Sequence, residues 1–562
     1  PPAILFRPFG PQNPSSALFV TGRRTPFCSV RKNPPNLSRT PGKPGASDAL
    51  TVAHSLFRVL NLSDANAAGG WRGGCARSEK EDRRSMTRLR VFLANVGRRT
   101  FTYYITTPPM GILCLAAYLR SKFDLDIRVV NQRVDNLTTE QIARQAIAFH
   151  ADVVGFGCMS TGAHALRELT RKVRQGLPKA LILIGGPHTS ASQEAAMEGT
   201  CADAAVVGEG EWTTEQVIRA WLDGGDFGAI PGLIWRNRDG QIVTNPGQPP
   251  LVEDLDLLPP PAYDLIDLRR YWSLQSMTPL PKRRYVCLVS SRGCPYQCMW
   301  CHNIFGKRFR AYSPERMIEE IDRTIRIWGV NEVEFLDDIF NLDKERVIAF
   351  CELAQRRNLR FKMTFPNAVR TDILDQEVVD ALADTGMTFC SFALEAGSPR
   401  VQQYTGKRLN IPRFLKGIEM TVARGVFANG FAMLGFPTET EAELRQTVDV
   451  MCESKLHTAS FFTVMPFPNT RLYDEVMRTH PERLAGVRYE DVNFATVRVN
   501  CSEVPDDVFF AYQRLANRQF YLNPIRILRI LRDYPRPQWL PFYLPIFFSR
   551  ITKGLLRRGQ RP

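Results

Sequence analysis

The chain has 562 residues, 44% of them hydrophobic and 23% charged, which is enough to bury two or three cores and too apolar for a disordered or fibrous polypeptide. Its net charge of +16 sits at the ends: residues 1–85 hold 13 Lys/Arg against 5 Asp/Glu, residues 524–562 hold 9 against 1, and the middle is neutral. A neutral middle argues against nucleic acid as a partner, and no run of about 18 apolar residues is present to cross a bilayer.

Residues 1–86 come first and carry ten prolines. They show neither a period of 2 nor one of 3.6, so a disordered leader is expected. The first methionine is Met86, and the segment reads as an upstream extension of the reading frame; a basic, acid-poor targeting tail has the same composition.

From residue 87 to 222 short apolar strands alternate with amphipathic helices: "LRVFLAN", "MGILCLAAYLRSKF", "IRVVN", "TEQIARQAIAFH", "DVVGFG", "AHALRELTRKVRQG", "ALILIGG", "DAAVVGEG". That order predicts an α/β, doubly wound (Rossmann-like) domain, with its ligand site beyond the carboxyl ends of the strands, near Asn95, Ser160, Thr161, Gly185, Gly186 and Gly208. Residues 223–282 interrupt the rhythm with a Gly-turned hairpin and "LDLLPPPAYDLIDL", which reads as an interdomain linker. From 283 to 470 six strand–helix units follow, predicting a partial (β/α)6 barrel with its chemistry at the carboxyl ends of the strands. Residues 471–562 form a C-terminal extension whose end mixes arginines with large apolar residues, a composition suited to peripheral contact with a membrane.

The thirteen cysteines are odd in number and follow no disulfide framework, which places the chain in a reducing compartment, the cytoplasm. Cys294, Cys298 and Cys301 crowd into "GCPYQCMWCHN" directly after the first barrel strand. Three soft thiolates at that spacing can serve one metal centre. Zinc would need a fourth ligand, for which His302 is adjacent; a [4Fe–4S] cluster held by three cysteines leaves one iron open to an outside ligand.

The CxxxCxxC spacing in this position, with Trp300 before the third cysteine, resembles the signature of the radical S-adenosylmethionine (SAM) enzymes. The resemblance implies a [4Fe–4S] cluster on Cys294, Cys298 and Cys301, SAM on the open iron, and reductive cleavage of SAM to methionine and a 5'-deoxyadenosyl radical. Later segments match as well. "FPNAVR" brings Asn367 and Arg370, and "FALEAGSP" brings Glu395 and Ser398, as candidate SAM contacts alongside Trp300, with Ala396 in place of the family's usual serine. Asp337 and Asp338 of "FLDDIF" are candidate substrate contacts. "MLGFPTETEAEL" resembles the Gly-Leu-Pro-Gly-Glu-Thr segment after the fifth strand, and reads equally as a strand-to-helix turn with a capping box.

A doubly wound domain before such a barrel, with "PPMG", "GGPH" and "GEGE", resembles the cobalamin-binding subgroup of the family. No histidine lies in residues 95–111, where free-standing cobalamin domains carry Asp-x-His-x-x-Gly, so the resemblance implies a corrin held without that ligand. Pro109, Gly111, Ser160, Thr161, Gly185, Gly186, His188, Gly208 and Glu209 are the candidate cobalamin contacts. The resulting expectation is a cobalamin-dependent radical SAM methyltransferase. It would act on a small molecule, a lipid or other hydrophobic compound, and draw electrons from a donor such as flavodoxin or ferredoxin. Oxidative cyclisation or rearrangement is the neighbouring reading, and a non-catalytic iron–sulfur or zinc protein the reading from another class.

Overall fold

Strands that are apolar on both faces stay folded only when helices cover each side of the sheet they build. The computed structural model describes residues 88–99, 104–281, 283–302, 304–489 and 499–541, and these belong to one compact unit. The expectations for residues 1–86, and for the chain beyond 541, lie outside the described residues.

In the first sheet β1 (Leu89–Val96), β2 (Leu125–Asn131), β3 (Val153–Cys158), β4 (Leu181–Gly185) and β5 (Ala204–Ala205) run parallel in the order 2-1-3-4-5. The hairpin β6 (Ile234–Arg236) and β7 (Ile242–Thr244) joins antiparallel at β5, with Ile234 opposite Ala205 and Trp235 opposite Ala204. The sequence reading assigns this hairpin to a linker; in the structure it covers the edge that the two-residue β5 would otherwise leave bare.

β8 (Tyr285–Leu288) opens the second sheet, and β9 (Ser291–Arg292) and β10 (Arg310–Ala311) form a separate antiparallel pair. β11 (Glu332–Phe335), β12 (Lys362–Val369), β13 (Met387–Glu395), β14 (Phe427–Leu434) and β15 (Thr458–Thr463) complete a parallel six-stranded sheet in the order 8-11-12-13-14-15, the expected partial barrel. Its core holds stacked phenylalanines, Phe335 lying 5.0 Å from Phe365 and 4.9 Å from Phe340 between ring centres. The edge strand β15 is covered by the helix Asp506–Tyr521: the Tyr521 hydroxyl accepts from Ala459 N at 3.0 Å and donates to Ala459 O at 2.7 Å. The two halves share a core as well, because Met110 and Leu113 of the helix Met110–Lys122 pack into the barrel's hydrophobic cluster.

Near the amino ends of β11 and β12, Arg283 is buried between Glu332, at 3.3 Å, and Glu334, and also donates to Thr364 Oγ1 at 3.1 Å. Arg536 reaches the same Glu332 at 3.0 Å. Removing one partner from such a set strands the other charges in a dry place. Arg283→Met is therefore expected to lower the unfolding free energy by about 3–5 kcal/mol in a urea titration.

Candidate active site

The three clustered cysteines lie on the loop between β9 and β10, whose ladder pairs Arg292 with Arg310. The loop leaves β9 through Gly293, at φ +86°, where a Cβ would stand 2.1 Å from the Arg308 carbonyl; only glycine closes the hairpin there. Beneath it, Ser290 and Ser291 donate to Asp337 Oδ1 at 2.7 and 2.6 Å, and Arg346 donates to the Ser290 hydroxyl at 2.7 Å. The loop is also strapped from above, since Met299 N donates to Thr405 O and Met299 O accepts from Leu472 N, both at 2.9 Å.

Cys294 and Cys298 are half-buried, and part of Cys301 reaches solvent. Desolvation raises all three thiols, Cys301 to about 12, where the neighbouring Cys298, Asp338 and Cys294 add to the effect. Each thiol thus lies within electrostatic reach of the others, although among the described residues no three His, Cys, Asp or Glu side chains converge on one point as ligands of a single ion do. Neighbouring thiols that do not converge on a single point suit a cluster that spreads its ligands over separate irons. His302, the fourth donor a zinc site would need, turns Nε2 to the Pro468 carbonyl at 2.8 Å.

Other side chains from the strand ends meet this loop. Asp338 follows β11 and reaches solvent, yet burial by the surrounding loops and the adjacent Asp337 raise its carboxyl to about 6. Glu395, at the end of β13, pairs with Lys407 at 3.3 Å, and the Lys407 ammonium lies 6.0 Å from the centre of the Trp300 ring. Asn367 stands within β12 rather than after it; Nδ2 donates to Asp337 O at 3.3 Å, while the buried Oδ1 has no partner among the described residues.

Three of the expected contacts are placed differently. Asp337 is fully buried; Oδ1 accepts from the two serines and supports the loop from below, while Oδ2 has no partner among the described residues. Ser398 caps the helix Pro399–Tyr404 through Val401 N and donates to Glu443 at 2.8 Å, which occupies its hydroxyl. Arg370 is held by Asp372 at 2.8 Å and by Lys407 O at 3.1 Å, with its guanidinium 3.7 Å from the centre of the Tyr296 ring; it braces the cysteine loop.

The first domain meets the loop with its strand ends. Gly157 of β3 lies opposite Gly185 of β4, and Gly186 follows at φ +82°, a conformation that a side chain would strain. The space in front of Gly111 is open, Pro109 stands at the N-terminus of its helix, and Ser160 and Thr161 form a short turn after β3. Behind Gly186, the buried Thr189 hydroxyl has no partner among the described residues. His188 is buried, with Nδ1 3.2 Å from Ser192 Oγ, inside its own helix Gly186–Ser192.

Glu209 does not face this cradle. Its buried carboxylate accepts from Arg310 Nη2 at 2.5 Å, from Arg292 Nη1 at 3.1 Å and from Val252 N at 2.9 Å, and Glu211 takes the other end of Arg292 at 2.7 Å. Gly208, one residue earlier, donates to Ser190 Oγ at 3.0 Å, and a Cβ there would lie 3.5 Å from the Ile304 carbonyl of the cysteine loop. The "GEGE" segment therefore clasps both ends of that loop to the first domain.

Comparison with known proteins agrees with this two-part site. Residues 100–218 match the B12 binding domain, and residues 288–451 match the radical SAM superfamily. An uncharacterized methyltransferase of Pyrococcus horikoshii is 30% identical over 458 residues, 80% of this chain and 94% of that protein. The chain belongs to the B12-binding branch of the radical SAM superfamily. The anaerobic magnesium-protoporphyrin IX monomethyl ester cyclase of Rubrivivax gelatinosus is 23% identical over 76% of this chain and 77% of its own length. The fold is that of the radical SAM methyltransferase TsrM from Kitasatospora setae, solved with cobalamin and a [4Fe–4S] cluster: TM-score 0.58, 18% identity, 71% of this chain and 79% of that one.

As a member of this branch the protein is an enzyme that uses a [4Fe–4S] cluster, SAM and cobalamin. The residues fit those groups: neighbouring thiols, glycine-lined strand ends, and unpartnered buried atoms on Asn367 and Thr189. Lys407 stands beside Trp300 and belongs to no motif, so sequence reasoning missed it. The bond from Met299 N to Thr405 O and the close approach of Gly406 to the Gln297 carbonyl bring its segment to the cysteine loop.

Two outcomes follow from the geometry. Glu209→Gln leaves the buried Arg310 guanidinium without its anion and Arg292 with Glu211 alone, a loss of about 3–5 kcal/mol, and is expected to speed amide exchange across residues 293–309 in hydrogen–deuterium exchange mass spectrometry. Glu439, after β14, accepts from Gly435 N at 2.7 Å and Phe436 N at 3.1 Å with no exposed surface, and burial raises its carboxyl from 4.5 to about 8. The folded state then binds a proton that the unfolded chain has lost, so this group's contribution to stability falls as pH rises across that window. Glu439→Gln should flatten the decline of the melting temperature between about pH 5 and 8 in differential scanning fluorimetry.

Proposed function

We propose that the enzyme moves a methyl group from SAM, by way of cobalamin, to an unactivated carbon of a small hydrophobic molecule. In this reading Cys294, Cys298 and Cys301 hold the cluster, and Trp300, Glu395, Asn367 and Lys407 line the SAM site. Gly111, Ser160, Thr161, Gly185, Gly186 and Thr189 border the corrin. Bound there, cluster and SAM supply a hydrogen-abstracting radical, and the corrin supplies the methyl group. The chain's own part is to orient and to exclude water: the clasp at Glu209 presses the glycine cradle and the cysteine loop together, and Lys407 with Glu395 offers a cation and an anion beside Trp300.

The observation that carries the reading is the approach of Gly208 to the Ile304 carbonyl, which sets the first domain's strand ends against the cysteine loop. Methyl transfer is favoured by the Pyrococcus horikoshii relative, a named methyltransferase matched over 94% of its length. Reduction would come from a small donor such as flavodoxin or ferredoxin, in the cytoplasm at the inner face of the membrane. The similarity to the Rubrivivax gelatinosus cyclase supports a second reading, radical cyclisation without methyl transfer.

The test is anaerobic turnover of protein loaded with cluster and hydroxocobalamin, in the presence of a low-potential chemical reductant, using SAM deuterated at its methyl group and candidate hydrophobic metabolites. Methyl transfer predicts 5'-deoxyadenosine together with a product carrying the deuterated methyl, and loss of both in Cys298→Ala. Deoxyadenosine with an unlabelled product selects cyclisation, and loaded protein that forms no deoxyadenosine rejects both readings.

A further inference from the structure

The helix Pro524–Asp533 is built inside out. Among its residues the buried one is Arg526, 2% exposed, whose guanidinium reaches the carbonyls of Leu456, of Cys452 at 2.7 Å and of Ser454 at 3.3 Å. Those carbonyls lie at and beyond the C-terminus of the helix Glu441–Glu453, where a cation is favoured by the unpaired acceptors and the helix dipole. Arg526 also sits 3.6 Å from the centre of the Phe520 ring. At the other end Asp533 meets His457 Nε2 at 3.1 Å, and the following Tyr534 packs edge-on against Phe427 at 5.5 Å.

Anchored at both ends by polar contacts, the helix turns its apolar residues to solvent: Ile525 is 67% exposed, Leu528 66% and Leu531 47%, with Leu522 ahead of them at 55%. Spacings of three residues put the three helical side chains on one face. A single exposed leucine needs no explanation, but a row of them on a firmly held helix marks a surface that something else covers.

Charge selects the occupant. Arg532, 74% exposed, and the half-buried Arg529 flank the row; the helix's acid, Asp533, is shared between Arg532 at 2.6 Å and His457, which leaves the helix surface net positive. Across residues 524–562 nine Lys/Arg stand against one Asp/Glu. A second copy would bring the same positive charge to the same apolar row, and a nucleic acid would leave the leucines wet. An anionic lipid surface answers both, phosphates to the arginines and the acyl boundary to the leucines. We propose that the face of Ile525, Leu528 and Leu531 docks on an anionic bilayer surface. This goes beyond methyl transfer and does not depend on it.

The test is co-sedimentation of the full chain with vesicles of phosphatidylcholine, with and without phosphatidylglycerol, at low and high salt. Binding is expected for the anionic vesicles, roughly tenfold weaker for neutral ones or at high salt, and roughly tenfold weaker for the Ile525→Gln, Leu528→Gln, Leu531→Gln triple variant. Leu528→Gln alone should give a smaller loss in the same direction, and an unchanged melting temperature shows that the variants remain folded. The proposal is overturned by equal binding to both vesicle types, by no binding to either, or by a full chain that is dimeric in light scattering and becomes monomeric in the triple variant.

Discussion

A buried carboxylate between two buried arginines is an arrangement that tolerates little movement: displace either side, and charges are left without partners in a medium that solvates them poorly. Glu209 is in that position, between Arg292 and Arg310, with Glu211 completing the set. Such clusters add little net stability over apolar packing of the same volume, and their use is to specify geometry. Here the specified geometry is the mouth of the barrel. The two arginines bracket the cysteine loop, at the end of β9 and the start of β10; Glu211 opens the final helix of the first domain and Glu209 stands two residues before it. Apolar contacts of Met110 and Leu113 glue the domains together, while the clasp sets their register.

The alternation of strands and helices and the cysteine triplet were legible because they are local. A period can be read in a window of a dozen residues, and three thiols within eight residues need no long-range information. The TETE turn was legible for the same reason: Thr440 N and its hydroxyl both donate to Glu443, as its spacing predicts. What escaped was decided by distant partners. Ser398 in "LEAGS" carries the pattern of a ligand contact, yet a helix 45 residues later supplies Glu443 and claims its hydroxyl. Glu209 sits in a motif tied by resemblance to a corrin, and its partners come from 83 and 101 residues downstream.

The C-terminal segment teaches the same lesson about faces. Its sequence shows arginines and leucines in helical spacing, and a helical wheel would turn the leucines inward. The free carbonyls around Leu456 and Cys452 reverse that choice, because a buried arginine that satisfies several acceptors is worth more there than a leucine that would satisfy none.

The site of that helix also bears on how a substrate arrives. His457 and Leu456 immediately precede β15, so the helix they anchor sits at the amino ends of the barrel strands, whereas the cysteines gather at the carboxyl ends. Six residues of extended chain separate the two ends, about 20 Å. A protein resting on lipid through Leu528 would hold its reaction chamber turned away from the bilayer. Tethering would then fix where the enzyme resides without opening a sideways path into it, and a hydrophobic substrate would have to leave the membrane before it could react.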